Sequence, residues 1–228
     1  MRTIAILPIK SFGAAKQRLS ASLGGGSRQA LAQAMFSDVL SSLRNAPELD
    51  AIAVVTANPA ALMAAGRTGA VVLDDPVEAG QSAAAAIGIA LALDQGFERA
   101  LLVPGDTPLL DPRELAELLM RCEEDGVEAA IVPDRHRTGT NALLLAPPDA
   151  IAPSFGPGSL ERHVAAATEA GLEHRVEGLA SLMLDIDTPA DLAELATRLD
   201  AHRGRAVQTR GALRQIERMH RPQAPVGH

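Results

Sequence analysis

Three cations lie close together in the first loop of the chain. Lys10 and Lys16 are the only lysines among 228 residues, and Arg18 follows two positions later. The loop comes directly after an apolar run over residues 3–7. Lysines are flexible point charges, and in a loop of small residues such charges can follow a polyphosphate. The spacing therefore favours a phosphate site, and two surface lysines beside a turn are the alternative.

Three aspartates follow two other apolar segments. Asp106 comes after a predicted strand over 100–103, and Asp185 and Asp187 come after a predicted strand over 181–184. Open parallel sheets bind their ligands at the carboxyl ends of strands. Mg²⁺ is held there by one or two carboxylates and completed by phosphate oxygens and water. Each residue alone is better explained as a turn former or helix cap, but together with the lysine loop at the same end of the sheet the three lead us to expect a magnesium site.

Two turns rich in small residues offer places for a second anion. Residues 138–141 and 155–159 supply hydroxyls and unobstructed backbone N–H groups, and the second turn opens a predicted helix. The N-terminus of a helix attracts phosphate and carboxylate groups. His136 is a candidate proton shuttle, but solvated loop histidines are more common, and we interpret His163 and His174 as structural.

The order of predicted elements indicates the fold class. Buried apolar runs alternate with helical patterns, as in the strand at 51–56, the short helix at 60–65 and the strand at 70–73. This βαβ pattern predicts a single α/β domain over residues 1–200 with helices flanking the sheet.

The composition excludes several classes of protein. The chain has no Trp or Tyr and only four Phe, which argues against single-stranded nucleic-acid binding on aromatic platforms. No apolar run approaches the roughly 20 residues of a membrane span, and no signal segment opens the chain. The single Cys122 cannot form an internal disulfide. We expect a cytoplasmic protein without membrane or nucleic-acid partners and without a catalytic cysteine.

The C-terminal residues have a charge opposite to the rest. Residues 201–228 contain six arginines and one acidic residue, whereas residues 1–200 carry 15 basic and 27 acidic side chains. We expect a basic extension with a short helix over about 206–219 and a frayed end. It is either a solvated tail or a helix that packs on the acidic body or on the second subunit of a homodimer.

Five motifs, in this order, resemble the guanylyltransferases of deazaflavin coenzyme F-420 biosynthesis. They are Leu7-Pro8-Ile9-Lys10 with Ala15-Lys16-Gln17-Arg18-Leu19, Pro104-Gly105-Asp106-Thr107-Pro108-Leu109, Gly139-Thr140-Asn141-Ala142-Leu143, Phe155-Gly156-Pro157-Gly158-Ser159, and Asp185-Ile186-Asp187-Thr188-Pro189. The resemblance covers about residues 1–200. It implies the nucleotidyltransferase variant of the Rossmann-like fold, with a mixed, mostly parallel sheet. The arginine-rich extension is expected to lie outside the family's usual extent.

The resemblance also implies a reaction. GTP would transfer its guanylyl group to the phosphate of a three-carbon acid and release pyrophosphate. The acceptor is phosphoenolpyruvate in bacterial members, and the alternatives are 2-phospho-L-lactate and 3-phospho-D-glycerate. A molybdenum-cofactor or sugar-phosphate nucleotidyltransferase is the nearest rival. A nucleotide-sensing module without catalysis would keep the lysine loop but would need no metal.

The implied site divides into three groups of residues. Mg²⁺ would be held by Asp106, Asp185 and Asp187. The acceptor would be held by Thr140, Gly156 and Ser159, with Thr138 as the rival of Thr140. The nucleotide would be held by Leu7, Pro8, Lys10, Lys16, Gln81 and Ser82, with Lys10, Lys16 and Arg18 neutralising the triphosphate.

Overall fold

The computed structural model describes residues 1–12, 16–201 and 204–220. Within them, seven strands form one sheet in the order β3-β2-β1-β4-β6-β5-β7. The strands are β1 (Thr3–Pro8), β2 (Ala51–Val55), β3 (Val71–Leu73), β4 (Arg99–Leu102), β5 (Ala129–Pro133), β6 (Thr140–Leu145) and β7 (His174–Val176).

Helices cover both faces of this sheet. They are α1 (Gly25–Arg44), α2 (Pro59–Gly66), α3 (Gln81–Asp94), α4 (Pro112–Glu124), α5 (Ser159–Glu169), α6 (Pro189–Ala201) and α7 (Val207–His220). Apolar residues of α1, α2 and α4 pack on one face of the sheet. Those of α3 and α5 pack on the other face. No helix among the described residues is long and apolar enough to cross a membrane.

Strand β1 is an inner strand of the sheet, and every one of its residues is buried. It pairs in parallel with β2 and β4. Strand β6 runs antiparallel to both β4 and β5, and β7 pairs in parallel with β5. The predicted single-domain α/β architecture with a mixed, mostly parallel sheet is therefore confirmed.

One predicted strand is wrong, and one real strand was not predicted. Residues 181–184 form turns outside the sheet, where Ser181 N–H donates to Glu114 and Leu182 N–H donates to the Leu179 carbonyl. Leu182 and Leu184 are buried there, so their apolar character arises from core packing and not from strand pairing. The seventh strand is instead β7, whose short and largely exposed sequence lacks an apolar pattern.

A third apolar cluster connects the first loop to the segment that carries two of the candidate aspartates. Leu19 of the loop packs with Leu184 and Ile186, which flank Asp185. Residues of α6 and α7 complete the cluster, among them Leu195 and Ile216. The position of the lysine loop relative to the aspartates thus depends on this packing.

The described part of the C-terminal extension is packed and not solvated. Helix α7 lies along α1, and the buried Asp38 of α1 accepts hydrogen bonds from Gln208 N at 3.1 Å and Thr209 N at 2.7 Å. A carboxylate that receives the first N–H groups of a helix satisfies donors that have no partner within the helix. Of the alternatives predicted for the extension, residues 204–220 show the one in which a helix packs on the acidic body of the protein. The predicted frayed end falls on residues 221–228, outside the described residues.

The thiol of Cys122 is buried in α4. Burial, and beside it the charge of Glu177, raise the pKa of Cys122 to about 11. A thiol with so high a pKa is a poor nucleophile at neutral pH.

We predict that Asp38→Ala lowers the free energy of unfolding by about 1–2 kcal/mol, because two N–H donors at the start of α7, of which that of Thr209 is buried, lose their acceptor. Urea denaturation of the full chain measures the change. Gln33→Ala, at an exposed position of the same helix, is the control and should change stability by less than about 0.5 kcal/mol. Equal stability of the two variants would contradict the capping role.

Candidate active site

A cleft of about 610 Å³ opens beside the carboxyl ends of β1 and β4. Most of the residues singled out in the sequence line it. They are Pro8, Lys10, Lys16, Arg18, Gln81, Asp106, Thr138, Thr140, Gly156, Ser159, Asp185 and Asp187. His136 lines it as well.

The turn after β4 brings Asp106 close to the first loop. Gly105 packs so tightly against Ile9 that a Cβ atom at this position would lie 2.3 Å from the Ile9 Cδ1 atom. A larger residue at this position would therefore require the end of the Ile9 side chain to move. The carbonyl of Asp106 in turn accepts a hydrogen bond from Ile186 N at 3.3 Å. This bond joins the turn to the segment that carries Asp185 and Asp187.

Lys16 is the centre of one wall of the cleft. Its backbone is left-handed at φ 59°, and its side chain is only 7% exposed. The Nζ atom donates to Asp106 Oδ2 at 2.5 Å and to Asp187 Oδ1 at 2.8 Å. One buried ammonium thus neutralises two carboxylates that lie 90 and 171 residues away in the chain.

The pKa values of this group follow from its geometry. Burial alone would lower the pKa of Lys16, but the charges of Asp106 and Asp187 outweigh it and raise that pKa above its ordinary value. Burial alone would raise the pKa of Asp187, but Lys16 outweighs it and holds that pKa below its ordinary value. Lys16 and Asp187 are therefore both charged at neutral pH.

Asp185 has a different environment. Burial and the neighbouring charge of Asp106 raise the pKa of Asp185 to about 6, against the opposing effect of a hydrogen bond from Asn141. Asn141 Nδ2 donates to Asp185 Oδ1 at 3.3 Å and to the Leu182 carbonyl at 2.8 Å. Asp185 thus binds its proton more tightly than a free aspartate does.

The donor set fits Mg²⁺ as an ion shared with a phosphate substrate. Among the described residues, Asp106 Oδ1 is buried and has no hydrogen-bond partner. It lies beside the two ion pairs that Lys16 forms with Asp106 and Asp187. Across the described ranges 1–12, 16–201 and 204–220, no three His, Cys, Asp or Glu side chains form a ready-made metal cage. Two carboxylates suffice for an ion that keeps its waters and is completed by phosphates.

The opposite wall carries hydroxyl groups. Thr140 N–H donates to Ser159 Oγ at 2.8 Å, which joins the start of β6 to the start of α5. Ser159 is the first residue of α5, and Gly158 precedes it at the helix cap. Thr140 Oγ1 lies 2.9 Å from His163 Nδ1. Both hydroxyls are buried in the protein at the edge of the cleft.

Thr138 differs from Thr140 in the use of its hydroxyl. The Thr138 side chain is exposed, and its Oγ1–H group donates to Asp134 Oδ2 at 3.3 Å. Its backbone N–H also donates to Asp134, at 2.9 Å. Thr138 therefore stabilises the loop between β5 and β6, whereas the hydroxyl of Thr140 contacts the buried His163.

The turn before α5 is held in shape by Arg162. Its guanidinium donates to the carbonyls of Pro157 at 2.6 Å and Ser154 at 2.8 Å. Gly156 has φ 111°, a conformation that side chains with a Cβ rarely adopt. This turn therefore presents its backbone to the cleft in a fixed conformation.

Two residues predicted to bind the nucleotide do not line the cleft. Leu7 is fully buried in the core, so its side chain packs under the loop. Ser82 Oγ accepts a hydrogen bond from Phe155 N at 2.9 Å and so fastens α3 to the turn before α5. Gln81, one residue earlier, does line the cleft.

Asp191 is a site residue whose role was not predicted from the sequence. One of its oxygens accepts hydrogen bonds from Asp187 N at 3.1 Å and Thr188 N at 2.7 Å. The other forms an ion pair with Arg135 at 2.5 Å. Asp191 thus fixes the backbone at Asp187 and joins it to the loop between β5 and β6. The sequence did contain a signal for this role, because a threonine followed three residues later by an acidic residue, as in Thr188 and Asp191, resembles a capping box at the start of a helix.

Comparisons with known proteins agree on one family. The model of the family described as "Guanylyl transferase CofC like" matches residues 3–223. This match includes most of the basic extension, so the expectation that the extension lies outside the family is wrong. A phosphoenolpyruvate guanylyltransferase of Conexibacter woesei is 48% identical over 96% of this chain and 98% of its own length. A 3-phospho-D-glycerate guanylyltransferase of Colwellia psychrerythraea is 36% identical over 86% and 92%.

Solved structures share the fold at low sequence identity. A putative nucleotide-diphospho-sugar transferase from Desulfovibrio desulfuricans superposes with a TM-score of 0.74 and 18% identity, over 96% of this chain and 97% of that one. A cytidylyltransferase from Leptospira borgpetersenii gives a TM-score of 0.59 and 13% identity over the whole of both chains. These likenesses concern the fold alone.

We predict opposite effects of Asp185→Asn and Asp187→Asn on the stability of the protein in a chelator. Unfolded Asp185 ionises near pH 4 and folded Asp185 near pH 6, so its contribution to stability falls as pH rises between these values. The Asp185→Asn variant should exceed the wild type by about 1–2 kcal/mol above pH 6 and lose this advantage near pH 4.

Asp187→Asn should instead destabilise the protein at pH 7, because the charged form of Asp187 is the one that Lys16 stabilises. This difference should shrink as pH falls through the lowered pKa of Asp187, where the wild type loses the same interaction. Urea denaturation of both variants at pH 4 and pH 7.5 measures the effects. The same sign for both variants at pH 7.5 would contradict the assignment of charges.

Proposed function

The chain belongs to the CofC-like guanylyltransferase family, and from this we propose that it transfers the guanylyl group of GTP to the phosphate of phosphoenolpyruvate. The protein is a nucleotidyltransferase. Its product would be enolpyruvyl-diphospho-guanosine, released with pyrophosphate. We further propose that this product serves coenzyme F-420 biosynthesis, which the resemblance of the motifs supports.

One observation carries the proposal most strongly. Lys16 connects Asp106 and Asp187 on one wall of a cleft, and Thr140 and Ser159 present hydroxyls on the other. The first wall suits a triphosphate with its cation, and the second suits a small anion. A cleft with two unlike anion sites is what a transfer between two phosphate substrates requires.

The reaction needs little covalent help from the protein. An oxygen of the acceptor phosphate attacks the α-phosphorus of GTP. The bond between this phosphorus and the oxygen that bridges it to the β-phosphorus breaks, and pyrophosphate leaves with the bonding electrons. The attacking oxygen is already ionised at neutral pH, so no activated Ser, Cys or His is required. Catalysis of this kind depends on positioning and on neutralisation of charge.

Asp106 and Asp187 would hold Mg²⁺, and Asp185 would join them in its ionised form. Bound there, the ion would neutralise phosphate oxygens and stabilise the charge that develops on the leaving pyrophosphate. Lys16 and Mg²⁺ would compete for the same two carboxylates. We therefore propose that Lys16 gives up this ion pair when GTP arrives and turns its ammonium towards the phosphates.

The remaining cations of the first loop lie where a triphosphate would extend. Lys10 and Arg18 are exposed and line the cleft. Their flexible side chains can follow the β- and γ-phosphates without a fixed geometry. Gln81 lines the same part of the cleft and remains the proposed contact to the nucleoside.

The acceptor would lie against Thr140, Gly156 and Ser159. The two hydroxyls and the turn at the start of α5 provide hydrogen-bond donors for a phosphate or carboxylate. Phosphoenolpyruvate is proposed first because relatives at 48% and 42% identity carry that name. 3-Phospho-D-glycerate is the second candidate, since a relative at 36% identity is named for it, and 2-phospho-L-lactate is the third.

The proposal is tested by offering GTP and Mg²⁺ with each of the three acids separately. We expect pyrophosphate release and a guanylylated product with phosphoenolpyruvate, at a kcat/KM at least about tenfold above the other two acids. Mass spectrometry identifies the product. If phosphoglycerate or phospholactate were preferred, that acid would be the acceptor instead of phosphoenolpyruvate. If none of the acids gave a product, guanylyl transfer to this class of substrate would be refuted.

We predict that Thr140→Val raises the KM for the acceptor about tenfold or more, because a donor hydrogen bond to an anion is lost. The KM for GTP should stay within about twofold, since Thr140 lies on the other wall. Thr138→Val is the matched control, because its hydroxyl already donates to Asp134. Steady-state kinetics with each substrate varied measures both constants. A larger effect at Thr138 would exchange the roles of the two threonines.

A further inference from the structure

His163 is fully buried behind the acceptor wall and does not line the cleft. Its two ring nitrogens both have partners. Nε2 lies 2.8 Å from the backbone nitrogen of Ser154, and Nδ1 lies 2.9 Å from Thr140 Oγ1. The ring also packs edge-on against Phe155, with centroids 5.3 Å apart.

These contacts determine where the ring proton resides. A backbone N–H group can only donate, so Nε2 must accept from Ser154 and cannot carry a proton. A neutral imidazole with an unprotonated Nε2 carries its proton on Nδ1. The Nδ1–H group therefore donates to Thr140 Oγ1.

The direction of this bond determines what Thr140 can do. A hydroxyl that accepts a hydrogen bond still has its own proton to donate. Among the described residues, no other hydrogen bond of this hydroxyl is found, and Thr140 lines the cleft. With the His163 proton on one side of the oxygen, the hydroxyl proton is directed to the other side, where the cleft lies.

Ser159 repeats the arrangement. Its Oγ accepts from Thr140 N–H, so its hydroxyl proton is likewise available for the cleft. Two hydroxyl donors are thus set side by side, one by a backbone N–H group and the other by an imidazole. A phosphate or carboxylate can accept hydrogen bonds from both hydroxyls. A hydroxyl whose lone pairs pointed at the ligand would instead repel the anion.

We propose that His163 is a positioning residue for the acceptor: its Nδ1–H group fixes the Thr140 hydroxyl as a donor to the phosphorylated acid. This inference rests on the proposed function for the identity of the ligand. Burial, and after it the charge of Arg162, lower the pKa of His163 to about 4. The ring therefore remains neutral, and the direction of the hydrogen bond is constant, across the neutral pH range.

Two variants separate the two nitrogens of the ring. In His163→Asn the amide nitrogen reaches the place of Nδ1 and can still donate to Thr140. In His163→Gln the amide reaches the place of Nε2, so it serves Ser154 and leaves Thr140 without its donor. Both variants remove the packing on Phe155, so the loss of this packing alone would affect them alike.

We expect His163→Gln to raise the KM for the acceptor about tenfold and His163→Asn to stay within about threefold of the wild type. The KM for GTP should be unchanged in both, and thermal melting shows how much of each variant is folded. Equal acceptor constants in two folded variants, or a change in the KM for GTP instead, would overturn the proposal.

The wild-type protein supplies a test that does not depend on variants or turnover. Nitrogen-15 NMR of histidine-labelled protein should show the His163 ring protonated at Nδ1 and unprotonated at Nε2, and unchanged from pH 8 to about pH 5; His174, whose Nδ1 lies 2.9 Å from the Leu172 carbonyl, shares the tautomer when neutral, so the His163 resonance must be assigned. Arg162→Gln next to the ring should shift that resonance and so assign it. If the resonance assigned in this way to His163 lacks the Nδ1–H tautomer, His163 does not orient Thr140. If it does but the wild type guanylylates no acid, the proposed function fails and the geometry stands.

Discussion

The arrangement of the cleft depends on the ion pairs of Lys16 with Asp106 and Asp187. Three aspartates lie close together at the edge of the sheet, and like charges at such distances destabilise one another unless a cation intervenes. The protein meets this constraint with one ammonium and with the raised pKa of Asp185. The same constraint makes the place attractive to Mg²⁺, because the carboxylates that hold Lys16 are the ligands that the ion prefers.

If the proposed function holds, the two walls of the cleft recognise anions in different ways. The wall of the first loop would use flexible charged side chains, which tolerate the changes of position that a triphosphate undergoes when it is cleaved. The wall of Thr140 uses neutral hydroxyls whose direction is fixed by His163 and by a backbone N–H group. Fixed neutral donors discriminate by shape and position, since a ligand that misses them leaves buried polar groups unpaired.

The sequence predicted the elements with a local signal and missed those that depend on distant contacts. Strand β2 lies within the predicted residues 51–56, and the lysine loop lies beside the predicted aspartates. The predicted strand at 181–184 is absent because core packing produces the same apolar pattern as strand pairing. The role of His163 was missed because its partners, 9 and 23 residues away, meet only in the folded chain.

We propose that Lys16 occupies the place of Mg²⁺ until GTP brings the ion. A crystal structure with Mn²⁺ and a non-hydrolysable GTP analogue tests it most directly, because the anomalous signal locates the ion. The account predicts a peak between the carboxylates of Asp106 and Asp187, with the Lys16 ammonium moved onto the phosphates. A structure in which Lys16 still joins both carboxylates while the ion is bound elsewhere would contradict it.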